Sequence, residues 1–157
     1  MKNINKNNLI QILKEFESGK QDSALKKMRV YIKYNKHDYK NRYNYAVMLE
    51  KNGQIDEAMK NYYEVLKFDK NDWRALTNLY LIYFDKENYS EALKLVKEVL
   101  NKKPDDQSSL RDLAHILFYL EDLDNARLNI EKSIKLNPKD YIALNVLGMI
   151  LDKQGLF

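Results

Sequence analysis

The sequence predicts an all-α fold of stacked antiparallel helix pairs, and three columns of residues predict it. Ala24, Ala58, Ala92 and Ala126 stand 34 residues apart. Asp38, Asp72, Asp106 and Asp140 keep the same step, and so do Asp22, Asp56, Ser90 and Asp124. A fixed period in this range marks a repeat array, in which each unit is one supersecondary element that buries its apolar face on its neighbours. The two polar columns read as helix N-caps, because a short side-chain oxygen can accept from the free N–H groups of a first turn. Two caps per period mean two helices per repeat.

The elements follow in order from that register. The repeats are cut at 5–38, 39–72, 73–106 and 107–140, and 141–157 reads as the first helix of an incomplete fifth repeat, all within a single domain. Each repeat opens with a helix of about 13 residues, a length typical of globular helices. Gly19, Gly53 and Gly155 fall in one column after it, where a left-handed residue can end a helix. The second helices read DSALKKMRVYIKY, DEAMKNYYEVLKF, SEALKLVKEVLNK and DNARLNIEKSIKL, with apolar residues at helical spacing. Pro104 and Pro138 share a column where the second helix must stop.

These residues resemble the tetratricopeptide repeat (TPR). The resemblance runs through Leu110, Leu113, Ala114, Ala126, Ile130 and Pro138 in repeat 107–140, and through Ala46, Gly53, Ala58, Tyr62 and Val65 in repeat 39–72. It covers nearly the whole chain. It implies a right-handed superhelical solenoid whose first helices line a concave groove. Two departures stand out. The family's tryptophan column holds Asn8, Arg42, Leu76, Leu110 and Leu144, and the lone Trp73 lies three residues before it. The small-residue column holds Tyr80 among Ile12, Ala46, Ala114 and Gly148, and a side chain of that size is expected to widen or shift its helix pair.

The resemblance also implies the function class: a non-catalytic protein-interaction scaffold or adaptor holding an extended peptide. On the first helix of repeat 39–72, Arg42, Tyr45, Ala46 and Leu49 form the packing face. Lys40, Asn44 and Val47, flanked by Tyr43, lie opposite. Carried to the later repeats, that face holds Arg74, Thr77, Asn78, Leu81, Arg111, His115 and Phe118. Asn44 and Asn78 are expected to hydrogen-bond a peptide backbone, since an amide both donates and accepts. Lys40, Arg74 and Arg111 are expected to attract a carboxylate. The two-carboxylate clamp of some TPR domains is not matched: Leu9 and Leu13 occupy its first two places, and Asn78 replaces its last base.

Composition excludes other classes. There is no cysteine, and the two histidines lie in different repeats, so neither a thiol metal site nor a zinc motif is expected. Every glycine and proline falls in an architectural column, which leaves none for a phosphate loop, and no cofactor is implied. The net charge of +4 comes from 27 basic and 23 acidic residues interspersed along the chain. That pattern argues against nucleic acid as a partner, although some helical-hairpin repeats bind RNA. No apolar run is long enough for a membrane span or a signal peptide, so the cytoplasm is the default compartment.

The last segment, YIALNVLGMILDKQGLF, is apolar on nearly every side, whereas a terminal repeat needs a polar outer face. Leu147, Ile150 and Leu151 are therefore expected to face a partner. Three arrangements satisfy this: a longer TPR chain, self-association of two copies through 141–157, or Leu156 and Phe157 folding back. The second gives an alternative function, that of an assembly protein.

Overall fold

The computed structural model describes residues 6–156, with side chains from Asn8 onward; Phe157 lies outside the described residues. Among them are nine α-helices: α1 (Lys6–Glu17), α2 (Gln21–Tyr34), α3 (Tyr39–Lys51), α4 (Ile55–Phe68), α5 (Trp73–Asp85), α6 (Tyr89–Lys102), α7 (Gln107–Tyr119), α8 (Leu123–Leu136) and α9 (Tyr141–Lys153). From α3 onward the first helices start at 39, 73, 107 and 141, a step of 34 each time. The chain divides into two compact units, one ending at Lys70 and the other beginning at Asn71.

The alanine column lies wholly inside the helix packing. Ala24, Ala58, Ala92 and Ala126 are all fully buried. A methyl group is the largest side chain that leaves close-packed helices in contact, since interiors have few voids to absorb extra atoms. Around the alanines, α2 buries Leu25 and Met28, α4 buries Tyr62 and Val65, α6 buries Val96 and Val99, and α8 buries Ile130. These are the i, i+3 and i+4 positions of an amphipathic helix.

The aspartate column behaves as expected. The carboxylates of Asp38, Asp72, Asp106 and Asp140 accept from backbone N–H groups in the first turns of α3, α5, α7 and α9. The other column needs a correction. Asp22, Asp56, Ser90 and Asp124 lie one residue inside their helices, and the N-caps are Lys20, Gln54, Asn88 and Asp122. Only Asn88 and Asp122 cap with their side chains. The acids Asp22, Asp56 and Asp124 instead sit in the first turn, where the positive end of the helix dipole favours them.

The shift has a geometric cause in the turn between paired helices. In α3–α4, Gly53 N–H donates to the Glu50 carbonyl at 2.9 Å and Gln54 N–H to the Leu49 carbonyl at 2.8 Å. This closure, with a left-handed residue after the helix, consumes the residue that follows, so the next helix cap is already fixed there. The same closure recurs after α1, α5, α7 and α9. Its left-handed position is Gly19, Gly53 and Gly155, but also Glu87 (φ 58°) and Glu121 (φ 63°). The prolines sit two residues past the ends of α6 and α8, consistent with their role as stops.

Tyr80 is buried (1% exposed), and its bulk is directed to α7, where its hydroxyl donates to Asp112 Oδ2 at 3.0 Å. Arg42, in the tryptophan column, donates from Nη1 to the buried Asn61 Oδ1 at 3.2 Å.

Candidate peptide-binding site

The predicted site residues fall on the first helices of both units, and each unit is described by itself. In the first, Tyr43, Asn44 and Val47 of α3 line a recess with Leu13, Phe16 and Glu17 of α1. Its volume is about 250 Å³. Tyr43 tilts against the buried Tyr62, with ring centroids 5.7 Å apart. Asn44 is half-buried and donates to Asn41 Oδ1 at 3.3 Å, a long bond that an incoming acceptor could replace. Lys40, in the first turn, is exposed.

In the second unit the structure brings together Leu81, His115 and Phe118, with aromatic neighbours the spacing did not emphasise. Tyr80, Leu81 and Phe84 of α5 and Asp112, His115 and Ile116 of α7 line a small recess of about 60 Å³. Phe84 lies 4.9 Å from His115 and 5.7 Å from Tyr119, centroid to centroid. Tyr119 stacks on Tyr89 at 4.6 Å, nearly parallel. Lys153 of α9 reaches over the Phe118 ring at 5.1 Å. Leu81 (41% exposed) and Tyr119 (43%) present this cluster to solvent. Thr77 and Asn78 are half-buried about one turn before Leu81 on α5. Burial pushes the His115 imidazole below its ordinary 6.5, and Arg111 adds to the shift against the opposing pull of Asp112, so the ring is neutral at pH 7.

Two predicted anion receptors, Arg74 and Arg111, already have carboxylate partners within the protein. Arg74 turns back onto its own helix cap: Nε lies 3.1 Å from Asp72 Oδ1 and Nη2 2.6 Å from Oδ2. Arg111, 20% exposed, donates from Nε and Nη2 to Asp112 Oδ1 at 3.1 and 3.0 Å and from Nη1 to Asp140 Oδ2 at 3.2 Å. Each guanidinium neutralises a cap or inter-helix carboxylate, a geometry that suits its planar fork. Asp140 also accepts from Gln107 Nε2 at 2.6 Å, and Gln107 bonds the fully buried Ser133. Arg111 is thus part of a polar network joining α7, α8 and the cap of α9. Spacing alone could not reveal this, because Asp140 reads as a helix cap and lies 29 residues from Arg111.

The three residues of the predicted self-association set differ in burial. Ile150 is fully buried. With Ala143 and Val146 it forms the face by which α9 packs on α8 and α7. Leu147 and Leu151 are half-buried, and the outward apolar residues are Tyr141, Ile142, Leu144 (47% exposed) and Leu156.

No described helix is long and apolar enough to cross a membrane. Among the described residues, no group of three or more His, Asp or Glu side chains could hold a metal ion.

Family models for the tetratricopeptide repeat match residues 49–116 and 111–157. The chain belongs to the tetratricopeptide repeat family, and its all-α helical-repeat fold is the one its solved neighbours share. MamA residues 41 to the end from Desulfovibrio magneticus RS-1 is 19% identical, with a TM-score of 0.85, over 92% of this chain and 82% of that one. A tetratricopeptide repeat protein from Parabacteroides merdae is 18% identical, with a TM-score of 0.87, over 95% of this chain and 60% of that one. YrrB, described as a TPR protein with an unusual peptide-binding site, is 25% identical, with a TM-score of 0.72, over 82% of this chain and 66% of that one. A search of curated proteins found no match.

Proposed function

We propose that the protein is an interaction scaffold, and that the α5–α7 face of its second unit holds an extended segment of a partner polypeptide. The observation that carries this reading is the solvent-facing cluster of Leu81, Phe84, His115, Phe118 and Tyr119 beside Asn78. Exposed aromatic and aliphatic side chains around a recess act as anchors, and an amide at their edge can bond a peptide backbone. The α1–α3 recess, with Tyr43, Asn44, Val47 and Lys40, offers a second contact of the same kind. Because Arg74 and Arg111 are engaged internally, the selected segment is one with apolar side chains rather than one chosen for acidity. The class of protein supports a polypeptide partner and a non-catalytic role.

A photo-crosslinking residue placed at Leu81 tests the reading. The expected result is a specific adduct that Phe118→Ala and Asn78→Ala diminish and Lys97→Glu, on α6, leaves intact. Equal crosslinking by all variants would overturn it.

A second reading, self-association through α9, is favoured by the exposed Tyr141, Ile142, Leu144 and Leu156. It moves the contact from Ile150 to the Leu144 side of the helix.

A further inference from the structure

The first unit has a second cleft, which shares no lining residue with the α1–α3 recess. Residues of α2, α3 and α4 line it, with a volume of about 580 Å³. Its lining includes Arg29, Lys33, Lys36 and Arg42 against only two carboxylates, Glu57 and Glu64. Both carboxylates already have partners. Glu57 receives Arg29 Nη2 at 2.8 Å and the Tyr45 hydroxyl at 3.1 Å. Glu64 pairs with Lys67, one turn along α4. Lys33 and Lys36 are exposed and form no ion pair with any described residue. Arg42 has a single acceptor, the neutral Asn61 oxygen, and its Nε is buried without one. A half-buried guanidinium with no carboxylate beside it is an uncompensated charge, and such a charge is stabilised by an anion brought to it.

We propose that this cleft docks an acidic stretch of a partner polypeptide, with Lys33 and Lys36 at the rim and Arg42 at the floor. Lys33 lies in the last turn of α2, Lys36 in the turn that follows and Arg42 in the first turn of α3, and all three line one opening. Ile32 and Phe68 supply an apolar wall for the stems of glutamate side chains. A nucleic acid fits less well. Phe68 has Tyr39 stacked at 6.4 Å and His37 edge-on at 5.7 Å, which leaves the ring 46% exposed, a partly covered wall rather than a free face on which a base can stack. This site is independent of the aromatic face of the second unit.

The test measures anisotropy of a fluorescein-labelled decaglutamate peptide titrated with the full chain at low salt. A decaglutamine peptide and a ten-nucleotide single-stranded RNA serve as comparisons. Lys33→Glu with Lys36→Glu is expected to weaken decaglutamate binding at least tenfold. Lys97→Glu with Lys135→Glu, which changes net charge equally on exposed positions elsewhere, is expected to change it less than twofold. Decaglutamine should not bind. Equal losses in the two double variants would reduce the effect to net charge and overturn the site. RNA bound more tightly than decaglutamate, with the same sensitivity to Lys33 and Lys36, would overturn the choice of ligand.

Discussion

Glu87 and Glu121 occupy the left-handed backbone position that glycine fills at 19, 53 and 155. A side chain in that region is strained by contact between Cβ and the following carbonyl, at about 1–2 kcal/mol per residue, while glycine returns part of that as unfolded-state entropy. Glu87→Gly and Glu121→Gly are therefore each expected to stabilise the protein by about 1 kcal/mol, seen as a higher urea midpoint. A lower midpoint for both would contradict the account. Glu121 also pairs with Lys153, so its gain should be the smaller of the two. The cap aspartates set the response to acid. In Asp72, burial raises the carboxyl pKa, but the Arg74 guanidinium and the backbone N–H donors more than offset it, and the net shift is downward. Asp140 is lowered first by Gln107. A carboxyl with a depressed folded pKa contributes stability above its unfolded value, here 3.8, and loses it as pH falls through the folded value. Urea midpoints should therefore fall as pH drops below about 4, and less steeply in Asp140→Asn. His115 acts in a higher window: its pKa is lowered on folding, so stability present above 6.5 declines as pH falls below that value. An imidazole signal for His115 titrating above 6.5 in NMR would refute its burial.

At the scale of the element, α9 shows how an apolar helix divides its faces. Nearly every position is hydrophobic, so periodicity could not say which side packs. The structure answers through Ala143, Val146 and Ile150, which are buried on α8 and α7. Ile150→Lys would bury an unpaired charge and is expected to unfold the segment rather than to separate copies. Leu144→Lys, on the exposed side, is the informative substitution for self-association. If copies associate through this helix, light scattering should show a mass that falls to that of a monomer in Leu144→Lys with helix content unchanged. A monomeric wild-type chain at high concentration would remove the second reading. The α5 helix illustrates the complementary point. Tyr80 in a small-residue column looks like a misfit along its own pair, yet its ring is buried and its hydroxyl is bonded to Asp112 of α7. Tyr80→Phe should cost about 1 kcal/mol by leaving Asp112 short of a donor.

Across the whole molecule, stability in a repeat array is a sum of unit terms and nearest-neighbour terms. In the second unit α7 packs against α6, α8 and α9, whereas α1 packs chiefly on α2. Amide hydrogen exchange is therefore expected to be fastest in α1 and slowest in α7, because local opening follows the burial each helix must give up. Uniform protection would argue for a single cooperative block. The repeat also explains what was legible. The alanine, aspartate and glycine columns are local requirements repeated at fixed spacing: a small residue at a close approach, a cap, a left-handed turn. Each can be read one residue at a time. The cations of the candidate groove could not be read that way. Arg74 and Arg111 sit at the expected positions, but a charge is available to a partner only if no nearer carboxylate holds it, and Asp140, 29 residues away, is such a partner for Arg111.

The sequence by itself determined the all-α repeat, its 34-residue step, the caps that start α3, α5, α7 and α9, and the family. These follow from backbone geometry and from helix-pair packing, which are short-range and periodic. Only the tertiary structure decided which polar groups remain available. It placed Arg74 and Arg111 in internal ion pairs, buried Ile150, moved the second caps by two residues, and left Lys33, Lys36 and Arg42 around one cleft with no carboxylate of their own. Electrostatic pairing and burial depend on side chains that meet across the fold, and a column of residues at constant spacing carries no record of what each one faces.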